Sequence, residues 1–212
     1  MEQKCVIFCA AEFDGLVQPV EQQDLVIAAD GGLRHTQALG IQPQVILGDF
    51  DSLGYVPRGA RVHPVEKDDT DSMLAIRLGL ERGCRLFYLY GAMDGPRVEH
   101  TLANLQALRF LARRGCRGYL VGRDQIATAF TGTLELPSDA RGNLSLFSFG
   151  EDVTVTIRGL QYTLEGGLLG SDFPLGVSNH FVGEKACIEA KNGILTAVWD
   201  RNNGTMEKGG SV

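Results

Sequence analysis

The stretch Val45-Ile46-Leu47-Gly48-Asp49-Phe50-Asp51-Ser52 places two aspartates, two positions apart, directly after an apolar run. The run predicts a buried strand, so both acids follow its carboxyl end on a tight loop. Residues i and i+2 of an extended chain point to the same side, so Asp49 and Asp51 can face one cation. Neighbouring carboxylates repel each other, and a divalent ion such as Mg²⁺ removes that repulsion while it binds substrate phosphates. The pattern favours a metal–phosphate site, although Gly, Asp and Ser are also typical of a simple turn.

Outward from this stretch, residues 1–123 alternate between strand-like and helix-like segments. Helical spacing of apolar residues predicts helices over Thr70–Arg82 and Val98–Arg114, each followed by a glycine stop signal, and a short helix over Leu33–Leu39. Apolar runs predict strands at Cys5–Ala10, Leu25–Ala29, Val45–Leu47, Arg61–Val65, Leu86–Tyr90 and Gly118–Val121. Such alternation predicts an α/β domain with a mostly parallel sheet.

Residues 124–212 have a different character, because long helical periods disappear and short alternating runs take over. Asn192-Gly193 lies between two such runs, Ala186–Ala190 and Ile194–Trp199, and predicts a hairpin turn. Other runs are Gln125–Phe130, Leu144–Phe149 and Val153–Ile157. We therefore predict a fold of class α/β plus all-β: an N-terminal α/β domain (1–123) followed by a C-terminal β-sandwich domain (124–212).

Composition narrows the class of function. The chain has 212 residues, 44% of them hydrophobic, and a net charge of −6. Its longest Lys/Arg block is the pair Arg113-Arg114, which argues against a nucleic-acid partner. The five cysteines form no CxxC pair and are odd in number, which suits free thiols in a reducing cytoplasm. No apolar run is long enough for a membrane span or a signal peptide.

Polar residues follow several of the predicted strands, where open α/β sheets bind their ligands. Simpler roles exist for some of them: Asp68 and Thr70 are ordinary helix N-caps, and Gly31-Gly32 can be a tight turn. Arg97 near a helix start opposes the helix dipole, which favours a role in binding anionic oxygens. The loops concerned are Asp30-Gly31-Gly32, Gly48–Ser52, Glu66–Asp71 and Gly91–His100.

Several familiar sites are absent from the sequence. It contains no GxxxxGK[ST] phosphate loop and no GxGxxG dinucleotide fingerprint. It also lacks HExxH, a Cys/His cluster and GxSxG, which argues against a zinc enzyme and a serine hydrolase.

Taken together, the motifs resemble those of the thiamine pyrophosphokinase (thiamine diphosphokinase) family, and the resemblance spans nearly the whole chain. The matching pieces, in the family's order, are Ala29–Gly32, Gly48–Ser52, Lys67–Asp71, Arg97–Asn104, Gly159–Leu164 and Gly176–Asn179. The resemblance implies a homodimer with its active site shared between subunits. It also implies transfer of the diphosphate of ATP to the hydroxyl group of thiamine, giving thiamine diphosphate and AMP.

On this resemblance, Asp49, Asp51 and Asp71 are expected to bind Mg²⁺ against the phosphates of ATP, with Arg97 as a further catalytic residue. Asp71 is also the preferred group to orient the hydroxyl proton of the acceptor. Ser178 and Asn179 are expected to bind the pyrimidine ring of thiamine and Phe181 to stack on it. The expected nucleotide-binding residues are Asp30, Gly31, Lys67, Asp68, Thr70, Arg97, His100 and Asn104.

Three positions depart from the family pattern. Glu99 stands where the family usually has Asp, Pro96 interrupts a stretch that is usually glycine-rich, and Thr163 stands where Pro is common. The first two keep open the alternative of a sensor that binds nucleotide or thiamine without turnover. A diphosphokinase for another alcohol, such as a hydroxymethyl pterin, is the second alternative, because the motif Gly176–Asn179 that favours thiamine is the weaker half of the evidence.

Overall fold

The computed structural model describes residues 3–50, 55–57, 59–62 and 69–201. The chain forms two compact units. The first contains Met1–Ala107 and Gly118–Arg123, and the second contains Leu108–Arg117 and Asp124–Val212.

The part of the chain before residue 124 alternates between strands and helices. Every strand and helix expected there occurs, with ends shifted by a few residues, and the part of the expected strand Arg61–Val65 beyond Val62 lies outside the described residues. In chain order the elements are β1 (Lys4–Phe8), β2 (Leu25–Ala29), a 3-10 turn (Asp30–Gly32), α1 (Leu33–Ala38), β3 (Val45–Gly48), β4 (Arg61–Val62), α2 (Asp71–Glu81), β5 (Leu86–Tyr90), α3 (Val98–Ala112) and β6 (Arg117–Val121).

The sheet of the first unit has the strand order β6-β5-β1-β2-β3-β4. β1 pairs in parallel with β2 on one side and β5 on the other, and the parallel pairs β2–β3 and β3–β4 follow. The chain therefore leaves β1 in one direction along the sheet and later resumes on its other side. Such a reversal creates a crevice at the carboxyl ends of the strands, which is where α/β sheets bind ligands.

Burial explains why β1, β2 and β5 are continuous apolar runs. Ile7, Ile27 and Leu89 in these strands have no exposed surface. Burying one such side chain stabilises the fold by roughly 1.5–3 kcal/mol relative to leaving it exposed. The sheet is thus a rigid platform, and the chemistry-bearing residues lie on the loops at its edge.

The second unit is built from antiparallel strands around one long strand, β12. β12 pairs with β7 along one edge, while on its other edge Cys187–Lys191 pair with β9 and Leu195–Trp199 pair with β8. β10 pairs with β9, and β11 pairs with β8. The strands are β7 (Gln125–Leu136), β8 (Asn143–Ser148), β9 (Val153–Arg158), β10 (Leu164–Leu169), β11 (Asn179–His180) and β12 (Ala186–Asp200).

The hairpin predicted at Asn192-Gly193 is wrong. Both flanking runs belong to the single strand β12 and pair with the same partner, β7, with a register shift between Ala190 and Leu195. Asn192 has φ +62° there. An Asn-Gly pair supplies the left-handed backbone of a β-bulge as readily as that of a tight turn, so continuous pairing with β7 decided between the two.

Strand pairing in the described chain is mixed, being parallel in the first unit and antiparallel in the second. The expectation of a mostly parallel sheet is therefore not confirmed for the fold as a whole. Short turns connect most of the strands after residue 124, and short turns permit only antiparallel neighbours.

No helix within the described residues combines the length and the apolar character that a membrane crossing requires.

Gly32 marks a close backbone contact inside the first unit. A Cβ atom at this position would lie 1.8 Å from the carbonyl oxygen of Phe8, at the end of β1. Because the backbone of Gly32 is helical (φ −60°, ψ −17°), only this contact opposes a side chain there.

We expect Gly32→Ala to lower the free energy of unfolding by roughly 1–3 kcal/mol or more, because the backbone must move to admit the methyl group. Gly95→Ala is the matched control, since its Cβ would meet only Ala11 Cβ at 3.4 Å, an ordinary contact. Equilibrium urea unfolding of both variants measures the difference. Equal unfolding midpoints for the two variants would contradict the prediction.

Candidate functional site

A cavity of about 810 Å³ lies at the carboxyl ends of the strands of the first unit. Its wall is built from the loops that follow β1, β2, β3 and β5 and from the amino-terminal ends of α2 and α3. These segments surround the crevice at the carboxyl ends of β1 and β5. We refer to it as the site cavity.

Most of the described residues that the sequence predicted for metal or nucleotide binding line the site cavity. They are Asp30, Asp49, Thr70, Asp71, Arg97, His100 and Asn104. Gly31 is buried within the 3-10 turn that carries Asp30. The predicted residues Asp51, Lys67 and Asp68 lie outside the described residues.

Gly48 lets the loops that follow β2 and β3 approach each other. A Cβ atom on Gly48 would lie 3.0 Å from the Cα atom of Asp30, so the loops after β2 and β3 touch through their backbones. Asp30 and Phe50 have φ values of +48° and +60°, a conformation that non-glycine residues seldom adopt. Left-handed backbone of this kind concentrates at functional sites. The close contact brings the acid of each loop, Asp30 and Asp49, to the same cavity.

The thiol of Cys9 lies among these acids. Its enclosure by protein, together with the negative charges of Asp71 and Asp30, raises the pKa of Cys9 to about 12. The thiol therefore stays protonated at neutral pH. Asp30 and Asp71, which are far apart in the chain, thus both act on the thiol of Cys9.

The carboxylates Asp30, Asp49 and Asp71 form what we call the acidic cluster. Within the ranges that the structure describes, which omit Asp51, no three His, Cys, Asp or Glu side chains lie close enough to hold a metal ion together. The predicted set of Asp49, Asp51 and Asp71 is therefore not tested. The chemistry of the donors nevertheless fits Mg²⁺, because carboxylate oxygens are its usual protein ligands.

Arg97 and Glu99 form an ion pair at the entrance to α3. The Nε atom of Arg97 donates a hydrogen bond of 2.8 Å to Oε1 of Glu99, and both side chains are exposed. The hydrogen bond from Arg97 lowers the pKa of Glu99, so this carboxylate is charged at neutral pH. Glu99, the residue that departs from the family pattern, therefore accepts a hydrogen bond from the guanidinium group of Arg97, which was expected to bind phosphate.

Thr70 and Asn104 have protein partners. Thr70 is the N-cap of α2, since its Oγ1 atom accepts a hydrogen bond of 3.2 Å from the backbone N–H of Met73, and its simpler predicted role as a cap is confirmed. Asn104 is buried, and its amide oxygen and nitrogen bond to Ser72 and to the carbonyl group of Ala92. Ser72 also lines the site cavity and was not among the predicted residues, although a small polar residue directly after Asp71 on a helix was a usable signal.

The predicted thiamine-binding residues lie in the second unit. Asn179 is buried, its amide nitrogen donates to the carbonyl oxygen of Tyr162, and its amide oxygen accepts from the N–H groups of Tyr162 and His180. Ser178 is exposed and has φ +61°. Phe181 is half-buried. Asn179 therefore fixes the local backbone and presents its neighbours to solvent.

Comparison with known proteins matches both parts of the chain to one family. Residues 16–120 match the catalytic domain of thiamin pyrophosphokinase, and residues 132–195 match its vitamin B1 binding domain. The chain belongs to the thiamin pyrophosphokinase family. It is 26% identical over 189 residues to a thiamine pyrophosphokinase from Bacillus subtilis (strain 168), covering 84% of this chain and 88% of the relative.

Solved structures of this family share the fold. A crystal structure of thiamine pyrophosphokinase from Bacillus subtilis superposes with a TM-score of 0.82 at 22% identity, covering 94% of this chain and 100% of that one. Thiamin pyrophosphokinase from Candida albicans superposes with a TM-score of 0.75 at 14% identity, covering 94% of this chain and 90% of that one. At these identities the likeness concerns the fold alone.

Proposed function

We propose that the site cavity catalyses transfer of the diphosphate group of ATP to the hydroxyl group of thiamine, giving thiamine diphosphate and AMP. One observation carries the proposal: the acidic cluster, Arg97 and His100 line a single cavity at the reversal point of the sheet. That cavity lies within the segment matched to the family's catalytic domain.

In this proposal Asp49, Asp51 and Asp71 bind Mg²⁺, and Asp30 completes the negative surface around it. Bound Mg²⁺ neutralises the charge that develops on the transferred phosphates. The chain's own contribution is to fix the carboxylates on short loops of a rigid sheet, so that little reorganisation is needed on binding. Asp71 is placed to orient the attacking hydroxyl group of the acceptor.

Cationic and polar groups on the opposite wall bind the nucleotide. Arg97 provides a planar fork that matches phosphate oxygens, and His100 lies one residue beyond Glu99 on the same helix. Lys67 and Asp68 precede Thr70 and are assigned to the nucleotide from the family pattern, as is Gly31. Asn104 also lines the cavity, but its amide bonds to Ser72 and Ala92, so we assign it to stabilising this wall.

Thiamine binding is assigned to the second unit, with Ser178 and Phe181 as contact residues and Asn179 holding their loop. Large apolar side chains around this loop are exposed, Tyr162 by 60% and Phe173 by 66%. A monomer seldom leaves such a group uncovered. We therefore propose a homodimer in which this surface meets the partner subunit, and a cytoplasmic location, where the five free cysteines stay reduced.

Conversion of ATP and thiamine to AMP and thiamine diphosphate, followed by chromatography, tests the proposed function. We expect Asp49→Asn and Asp51→Asn each to lower kcat at least about a hundredfold at nearly constant melting temperature, because each removes a ligand of the metal. Asp14→Asn, which changes an exposed acid outside the site cavity, is the control and should match the wild type. ADP as product, or product with a hydroxymethyl pterin only, would refute the proposal, and binding of both ligands without turnover would indicate a sensor.

The Arg97–Glu99 pair generates a second prediction. Glu99→Gln removes the charge that competes with phosphate for Arg97, so we expect KM for ATP to fall about two- to fivefold with an unchanged melting temperature. Arg97→Lys should raise KM, because an ammonium group cannot form the bidentate contact. A rise in KM for Glu99→Gln would show that this carboxylate itself contributes to the site.

The exposed apolar loop generates a third prediction. We expect the wild-type protein to sediment as a dimer and Phe173→Asp to sediment as a monomer with little activity, because a charge in a buried interface is strongly unfavourable. Asp139→Lys, a change at an exposed acid elsewhere in the second unit, should remain dimeric. Analytical ultracentrifugation provides the measurement, and an active wild-type monomer would contradict the shared site.

A further inference from the structure

A continuous chain of hydrogen bonds runs along the wall of the site cavity, between residues that line it. Oγ1 of Thr70 and Oγ of Ser72 are 3.0 Å apart. Oγ of Ser72 donates to Oδ1 of Asn104 at 2.7 Å, and Nδ2 of Asn104 donates to the carbonyl oxygen of Ala92 at 2.6 Å. We call this series the Ser72 chain. It links the start of α2, the first unit's part of α3 and the loop that follows β5.

The direction of every bond in the Ser72 chain is determined by proton counting. A hydroxyl group has one proton. Ser72 gives its proton to Asn104, so the bond between Thr70 and Ser72 must be donated by Thr70. Thr70 in turn accepts from the backbone N–H of Met73. All dipoles therefore point the same way, from α2 towards the carbonyl group of Ala92, and bonds aligned in this manner strengthen one another.

The Ser72 chain starts at the exposed residue Thr70, but its middle is buried, which makes the bond between Ser72 and Asn104 costly to lose. Ser72 and Asn104 are 9% and 6% exposed. If the hydroxyl group of Ser72 is removed, Oδ1 of Asn104 loses its donor at a position where water has little access. The amide can then rotate away from Ala92, and the two walls of the cavity lose their common support.

We propose that Ser72 is a positioning residue for the reaction proposed above. Asp71 lies between two hydroxyl-bearing residues that are both tied into the Ser72 chain, so the chain fixes the backbone of this acid. At its other end the chain fixes Ala92, at the start of the loop that leads to Arg97. Ser72 lines the site cavity, and in this proposal its hydroxyl group acts through Asn104, by setting the spacing between the acidic cluster and the phosphate-binding wall.

The test compares two buried serines that each donate one hydrogen bond. Ser72→Ala removes the link described here. Ser148→Ala is the matched control, because Ser148 is 6% exposed and donates to the carbonyl group of Glu151 in the second unit, away from the site cavity. Ser72→Thr retains the hydroxyl group and serves as the rescue. If Ser72→Ala does not fold, Ser72→Cys, which keeps the shape but donates weakly, replaces it.

We expect Ser72→Ala to lower kcat about ten- to a hundredfold and to raise the Mg²⁺ concentration needed for half-maximal rate, because misplacing reacting groups by about 1 Å has effects of that size. Ser72→Thr should remain within about threefold of the wild type, and Ser148→Ala should lose stability but not kcat. Either an unchanged kcat in Ser72→Ala or an equal loss in Ser148→Ala overturns the proposal.

Amide hydrogen exchange supplies a readout that does not depend on activity. Ser72→Ala should increase exchange in residues 91–95 about tenfold or more, and Ser148→Ala should leave these residues unchanged. If the wild-type protein makes no thiamine diphosphate, the proposed function is wrong. The hydrogen-exchange rates of residues 91–95 then still test whether the Ser72 chain connects the two walls. Unchanged exchange in Ser72→Ala refutes that link.

Discussion

Backbone contact between the loops at the carboxyl ends of β1, β2 and β3 is the constraint on which the site depends. Gly32 lies against the carbonyl group of Phe8 at a distance that no Cβ atom permits, and Gly48 lies against Asp30, where a Cβ atom would be tightly packed at 3.0 Å. Because the loops are this close, acids from separate strands face one cavity. After burial, the charges of Asp71 and Asp30 are what raise the pKa of Cys9. A repulsive arrangement of this kind is maintained by the buried sheet beneath it.

Besides the acids, the cavity lining contains a cation and neutral hydrogen-bonding groups. The guanidinium group of Arg97 donates a hydrogen bond to Glu99, so Glu99 limits how freely Arg97 can bind an anion. Ser72 and Asn104 are buried and uncharged, and their hydrogen bonds join α2, α3 and the loop after β5. Under the proposed function, the bound metal and Arg97 would provide positive charge, and the neutral hydrogen bonds would fix the geometry.

The second unit is organised around one long strand, unlike the first. One long strand, β12, is shared by β7, β8 and β9, and the bulge at Asn192 divides its free edge between two partners. Asn179 holds the turn at Tyr162, leaving neighbouring apolar side chains exposed. A surface built in this way is suited to contact with another molecule, whereas the acids of the first unit are suited to ions and phosphates.

The sequence alone determined the alternation of strands and helices, the strand-end loops and the family, because apolar periodicity and loop chemistry are local properties. It also predicted that Asp30, Asp49, Asp71 and Arg97 lie at one edge of the sheet, and these four residues line one cavity. Tertiary structure decided what local patterns could not: that Asn192-Gly193 is a bulge, because distant β7 pairs with both halves of β12, and that Asn104 bonds to Ser72, a residue 32 positions away. At such positions the local sequence is compatible with either structure, and only a contact with a residue distant in the chain determines which one forms.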